Sequence, residues 1–166
     1  MAVYHESFKV KNDKVMPIFH DVTERTKSIV KESNIKNGIV VVYSQHTTCS
    51  VLIQEEGQDT TYDDTKYINQ DLLDILEKII PKCRKEGQYM HPGPEHTKIA
   101  IDEFKELPGW SLNVDAHLRS CIIGRSESIP IINGKVEMGD FGRIYFVDFD
   151  SVRKRERTVH VQIVGD

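Results

Sequence analysis

The chain of 166 residues has few of the residues that would staple a fold together or carry it through a membrane. Its three cysteines, Cys49, Cys83 and Cys121, are odd in number and far apart, and no CxxC pair occurs. That excludes a disulfide framework and a zinc knuckle, and makes a reducing cytoplasm the expected compartment. No apolar run approaches the roughly 20 residues that span a bilayer, so no membrane partner is expected. The opening MAVYHESFKV lacks the basic, apolar and small-residue succession of a signal peptide. A net charge of −4 leaves no surplus of Lys and Arg, so no nucleic-acid partner is expected either. Phosphate loops of the GxxxxGK[ST] kind, HExxH motifs, repeats and low-complexity stretches are also missing.

What is present is an ordinary globular composition, 39% hydrophobic and 29% charged, long enough to bury a core without covalent help. One domain over residues 1–166 is expected. Charge is unevenly spread. Residues 55–77 carry eight acids against the single base Lys66, which suits a solvated face. The tail Arg153-Lys154-Arg155-Glu156-Arg157 is strongly basic, either a solvated face or, beside a site, a receiver of phosphate or another anion.

Alternation over residues 3–10 predicts a half-buried strand, and helical spacing of Val22, Thr26, Ile29 and Val30 predicts a helix over 17–34. Ile39 to Tyr43 is continuous and β-branched, as in a central strand covered on both faces. A strand is expected to resume at 51–53. The stripe Ile68, Leu72, Ile75, Leu76 and Ile79 predicts a helix over 63–80, stopped by Pro81. Residues 82–112 are broken by Pro92, Gly93, Pro94, Pro108 and Gly109, with a short helix near 95–105. Strands are predicted at 116–123, 126–132, 135–137, 143–149 and 157–164, with Asn133-Gly134 as a hairpin turn. Together these predict an α+β, mainly β fold: a single-domain β-sandwich of seven or eight strands with two main helices packed outside.

Three of the seven histidines have chemical company. His46 ends an apolar strand among Thr47, Thr48 and Ser50; His91 precedes Pro92-Gly93; His117 opens a predicted strand beside Asp115 and shares its face with Arg119. Neutral imidazoles converging from separate elements hold zinc and similar metals, with Asp115 or Glu55 to orient a ring. Their spacings of 45 and 26 residues form no local ligand motif, so convergence in space decides between a metal site and three packing histidines. His5, His20, His96 and His160 stand without such company and are read as surface or lightly buried. Cys49 near His46 has the makings of a nucleophile, but it lies in an apolar strand, as does Cys121, and both are expected to pack. Gly124-Arg125-Ser126 and the 139–143 segment are turns, and Arg119, Arg125 and Arg143 are candidate anion contacts.

Several of these stretches resemble the signature segments of the YjbQ-like family, an uncharacterised family also labelled secondary thiamine-phosphate synthase. They are Gln45-His46-Thr47-Thr48-Cys49-Ser50 through Gln54-Glu55, then His91, then Asp115-Ala116-His117-Leu118-Arg119-Ser120, the most specific match. The Asn133-Gly134-Lys135 turn, the Gly139–Phe146 segment and the basic stretch from Arg153 to Arg157 follow in family order. Two departures stand out. Phe141-Gly142 occupies the place of a Trp-Gln pair, and the stretch from His91 to His117 is long, with added residues around Glu95–Trp110.

The resemblance implies a homotrimer and a polar pocket where His46, His91 and His117 meet. It also implies the joining of a pyrimidine pyrophosphate to a thiazole phosphate with release of pyrophosphate. The expected site comprises Glu55 and Asp115 as catalytic carboxylates and His46, His91 and His117 on a divalent metal, zinc or another transition metal. Arg119, Ser120 and Arg143 are expected to meet the anion, and Thr47 and Thr48 to line the pocket of a small phosphorylated ligand. Metal-dependent hydrolysis or transfer on another small phosphorylated molecule, and metal or ligand binding without turnover, are the alternatives.

Overall fold

The computed structural model describes residues 1–166 as eight strands and four helices. In chain order these are β1 Ala2–Asn12, β2 Ile18–Asp21, α1 Thr23–Ser33, β3 Gly38–Ser44, β4 Cys49–Glu55, α2 Tyr67–Ile79, α3 Pro94–Asp102, α4 Val114–Ile123, β5 Ser126–Ile132, β6 Lys135–Val136, β7 Gly142–Asp148 and β8 Arg155–Gly165. They form a five-stranded sheet ordered β1-β8-β3-β5-β6 and a three-stranded sheet ordered β2-β7-β4, with every pairing antiparallel.

The period of two along β7 explains how the layers assemble. Ile144 and Phe146 face the five-stranded sheet and join Val40, Val42, Val51, Val159, Val161 and Ile163 in the main core. Tyr145 and Val147 face the opposite way and pack with Leu52, Leu73, Leu76, Ala116 and Phe149 beneath α2 and α4. Helix α1 contributes Ile29 and Val30 to the main core. The layers are therefore sheet, sheet and helix. Asn133 and Gly134, with φ of 52° and 77°, make the β5–β6 hairpin turn that Asn-Gly favours.

Four sequence expectations change. The predicted helix over 17–34 starts later, because Ile18–Asp21 is a strand paired with β7. The predicted helix over 63–80 begins at Tyr67, after a Thr60–Lys66 bridge. The segment 116–123 is helix α4 rather than a strand. Its strand-like look came from Leu118, Cys121 and Ile122, which the helix leaves on the surface, while Val114, Asp115, Ala116, Arg119 and Ser120 are buried. The fourth change concerns β3, which is central yet covered on one face only, with Ile39 51% and Tyr43 38% exposed in the single chain.

Candidate functional site

The site begins at the end of β3. Buried Ser44 clamps the turn that follows: its Oγ accepts the His46 N–H at 3.1 Å and donates to the His46 carbonyl at 3.3 Å. The ring is held from β8, where the Thr158 backbone N–H donates to His46 Nε2 at 2.9 Å. An Nε2 that accepts cannot carry the ring proton, so the neutral ring carries it on Nδ1. His46 is thus a hydrogen-bond donor.

His117 comes from α4. Its ring lies by the Thr47 backbone, a neighbour that favours the protonated form but is outweighed by burial. A neutral ring keeps a lone pair on one nitrogen. His117 therefore complements His46, an acceptor beside a donor. Burial pushes the pKa of both rings down, reinforced at His46 by the Arg157 guanidinium and at His117 by His91. Both are neutral near pH 7.

Helical geometry separates these rings from two other expected members. Positions 115 and 119 lie one turn apart, and 117 lies nearly opposite them. Arg119 does not share a face with His117. It is buried against α2, donating to the Ile80 carbonyl at 2.7 Å and to Glu77 at 2.6 Å. Asp115 is buried on the same side and accepts the Cys83 N–H at 3.2 Å, and burial raises its pKa. Ser120 Oγ donates to the Cys49 carbonyl at 2.6 Å, docking α4 on β4. These three groups position the helix that carries His117.

A cleft of about 340 Å³ joins His46 and His117 to Thr47, Thr48, His96 and the basic segment. Arg157 forms its floor. Its guanidinium, 4% exposed, meets Asp148 at 2.8 and 3.0 Å and donates to Thr48 Oγ1 at 3.0 Å. Arg155 Nε lies 3.0 Å from Asp150 Oδ2, but off the line of a hydrogen bond. Arg153 pairs with Glu106 at 2.6 Å and lies over the Trp110 ring at 4.5 Å. The basic tail singled out in the sequence thus lines the cleft.

The remaining expected residues are elsewhere. Glu55 is exposed at the far end of β4 from Cys49, about 20 Å along the strand. Arg143 pairs with Glu56 at that same end, so neither reaches the histidines. Arg125 lies outside the cleft lining. Cys49 is buried and donates to Asp148 at 3.4 Å; burial drives its thiol pKa far up, which suits packing rather than attack. Cys121 is exposed, contrary to its expected packing role.

His91 stands beside His117, ring centroids 6.1 Å apart, and His96 packs against His91 at 4.4 Å. His96 thus has company that its neighbours in sequence did not reveal. Its position on α3, three residues after Gly93, is the only sequence signal it carries. Glu106 and Trp110 had their signal in the lengthened 95–110 stretch.

The donor set does not fit a metal as it stands. No three His, Cys, Asp or Glu side chains converge as ligands, and His46 offers a protonated nitrogen where a metal needs a lone pair.

The histidines also set a pH dependence. Burial lowers the pKa of His20, His46, His91, His117 and His160 in the folded chain, below the ordinary value near 6.5. The unfolded chain then binds more protons, so this contribution to stability is intact above that value and lost as pH falls below it. Buried Asp115 and Asp150, with raised pKa, act oppositely at the acid end. The melting temperature is expected to fall between pH 7.5 and 5.5; a flat profile across that window contradicts the assignment.

The sequence matches the family described as UPF0047 protein YjbQ-like over residues 6–166. A UPF0047 protein of Methanocaldococcus jannaschii is 32% identical over 146 residues, 88% of this chain and 84% of its own. Another, from Methanothermobacter thermautotrophicus, is 27% identical over 165 residues, 99% and 94% of the two chains. Among solved structures, a YbjQ-like protein of unknown function from Sulfolobus solfataricus shares the fold with a TM-score of 0.75 at 24% identity, covering 99% of each chain. A YjbQ/UPF0047 protein of Clostridium acetobutylicum gives 0.70 at 28% identity, over 96% of this chain and 99% of its own. Matched over nearly its whole length in sequence and in fold, the chain belongs to the UPF0047 family of YjbQ-like proteins.

Proposed function

We propose that the chain is an enzyme of transfer or hydrolysis on a small phosphorylated molecule, working through the His46–His117 pair. One observation carries this reading: two histidines, His46 held through Nε2 by the Thr158 N–H and His117 from α4, line one cleft with three arginines. Arg153 and Arg155 meet the phosphate, the neutral His46 ring donates a hydrogen bond to the departing oxygen while solvent supplies its proton, and His117 takes the proton of an attacking water or hydroxyl. Arg157, saturated by Asp148 and Thr48, shapes the floor.

A second reading is the thiamine-phosphate synthase reaction attached to the family resemblance. Two arginines side by side suit its pyrophosphate leaving group. In that reaction the thiazole nitrogen attacks carbon, a C–N bond forms, and pyrophosphate leaves with the electrons of the broken C–O bond. The attacking nitrogen loses no proton, so only His46 has a role.

Release of phosphate or pyrophosphate from phosphate monoesters and from the two thiamine precursors tests both readings. Turnover of neither class sinks the proposal and leaves ligand binding without turnover. A divalent transition metal on the histidines is the competing arrangement. It requires His46 to release Thr158, and loss of activity with a chelator, restored by zinc, would establish it.

The homotrimer implied by the family is proposed to form on the bare outer face of the five-stranded sheet, where Val3, Ile39, Tyr43 and Ile132 are exposed. Light scattering at monomer mass would remove it.

A further inference from the structure

The outer wall of the cleft is built by the segment between α3 and α4, which supplies Glu106, Trp110, Ser111 and Asn113. Apart from backbone turns, what ties this wall to the basic segment is Arg153: the Glu106 carboxylate at 2.6 Å and the Trp110 ring at 4.5 Å hold its guanidinium between them. Arg153 Nε is buried in this arrangement and finds no acceptor. An unsatisfied buried donor weakens the closed wall, so the wall is held by a contact that an incoming anion can improve upon.

We propose that Glu106 is an internal anion occupying the place of the ligand's phosphate on Arg153, and that a ligand enters by displacing it. The proposal rests on the cleft being a phosphate site, as argued above. It also narrows the ligand class. A monocarboxylate exchanged for the Glu106 carboxylate gains no charge on Arg153. A phosphate monoester or pyrophosphate brings more than one negative charge and more acceptor oxygens, enough to engage Arg153 and reach Arg155, whose Nε also lacks an aligned acceptor. The wall then selects dianionic phosphorylated ligands and turns away simple carboxylates.

Trp110 is the chain's one tryptophan, so its fluorescence reports this contact directly. The experiment titrates the full chain with inorganic pyrophosphate and, separately, with acetate, following fluorescence and heat of binding. Pyrophosphate is expected to bind with a change in Trp110 emission, and acetate to do neither. Glu106→Gln keeps the shape of the side chain and removes its charge. It is expected to bind pyrophosphate about tenfold more tightly, the worth of one charge-assisted contact no longer in competition. Glu106→Ala should do the same, which guards against a folding defect peculiar to one variant.

Pyrophosphate binding of equal strength in wild type and both variants would overturn the displacement and leave the phosphate cleft standing. Tighter binding of acetate than of pyrophosphate would overturn the ligand class. Binding of pyrophosphate by none of the three proteins would overturn the cleft itself, and this inference with it.

Discussion

Replacing Arg157 by methionine is expected to destabilise the fold by about 3–5 kcal/mol, the cost of stranding buried charge. Asp148 and Asp150 are both fully buried, and Arg157 is the cation that meets the two of them, at 2.8 and 3.4 Å. Around them Asn12 donates to Asp148 at 3.3 Å, and the Asp150 and Val152 N–H groups donate at 3.1 Å each. These contacts satisfy lone pairs without supplying opposite charge. Methionine fills much of the volume but leaves buried Asp148 with no cation, beside an Asp150 that keeps only Arg155 at 3.0 Å. One must then take up a proton or draw in water. For a chain of this size each kcal/mol moves the melting temperature by roughly 2–4 °C, so a drop of roughly 6–20 °C is the expected reading. The loss should shrink at acid pH, where the carboxyls protonate. A urea midpoint equal to wild type would show that the network carries no such load.

Removing His117 separates the two reactions open to the cleft. Under the transfer or hydrolysis reading His117→Ala loses the base and His46→Ala the hydrogen-bond donor to the departing oxygen, and each lowers kcat by about 10²–10⁴-fold. Under the synthase reading His46→Ala falls by a similar factor, while His117→Ala stays within a few-fold of wild type. Steady-state rates with both substrate classes distinguish the two. Equal, unimpaired rates in both variants would remove the imidazole pair from any mechanism. His117 points from a helix held by Ser120 and Arg119, so truncating its ring leaves those anchors intact.

Much of the fold was legible in the chain because burial imposes periods that apolar residues must follow. The alternation in β1 and β8, the stripe of α2 and the Asn133-Gly134 turn each state their own conformation locally. Helix α4 was not legible. Leu118, Cys121 and Ile122 are apolar but exposed, and Asp115 and Arg119 are charged but buried, which inverts the pattern that periodicity relies on. The same inversion hid the site. With 116–123 taken as a strand, Arg119 shares a face with His117; on a helix it turns to Glu77 and Ile80 instead.

The sequence by itself determined the family, the approximate places of seven of the eight strands, His46 and His117 as residues of interest, and the basic character of the run at 153–157. Local chemistry and residue order are enough for those. Which histidines share a cleft, that His96, Glu106 and Trp110 join them, and that Glu55 and Arg143 lie at the opposite end of β4 and β7 were decided only by the tertiary structure. A ring's usable nitrogen likewise depends on Thr158, 112 residues away. Contacts of that range follow from how sheets and helices pack, and no spacing along the chain encodes them.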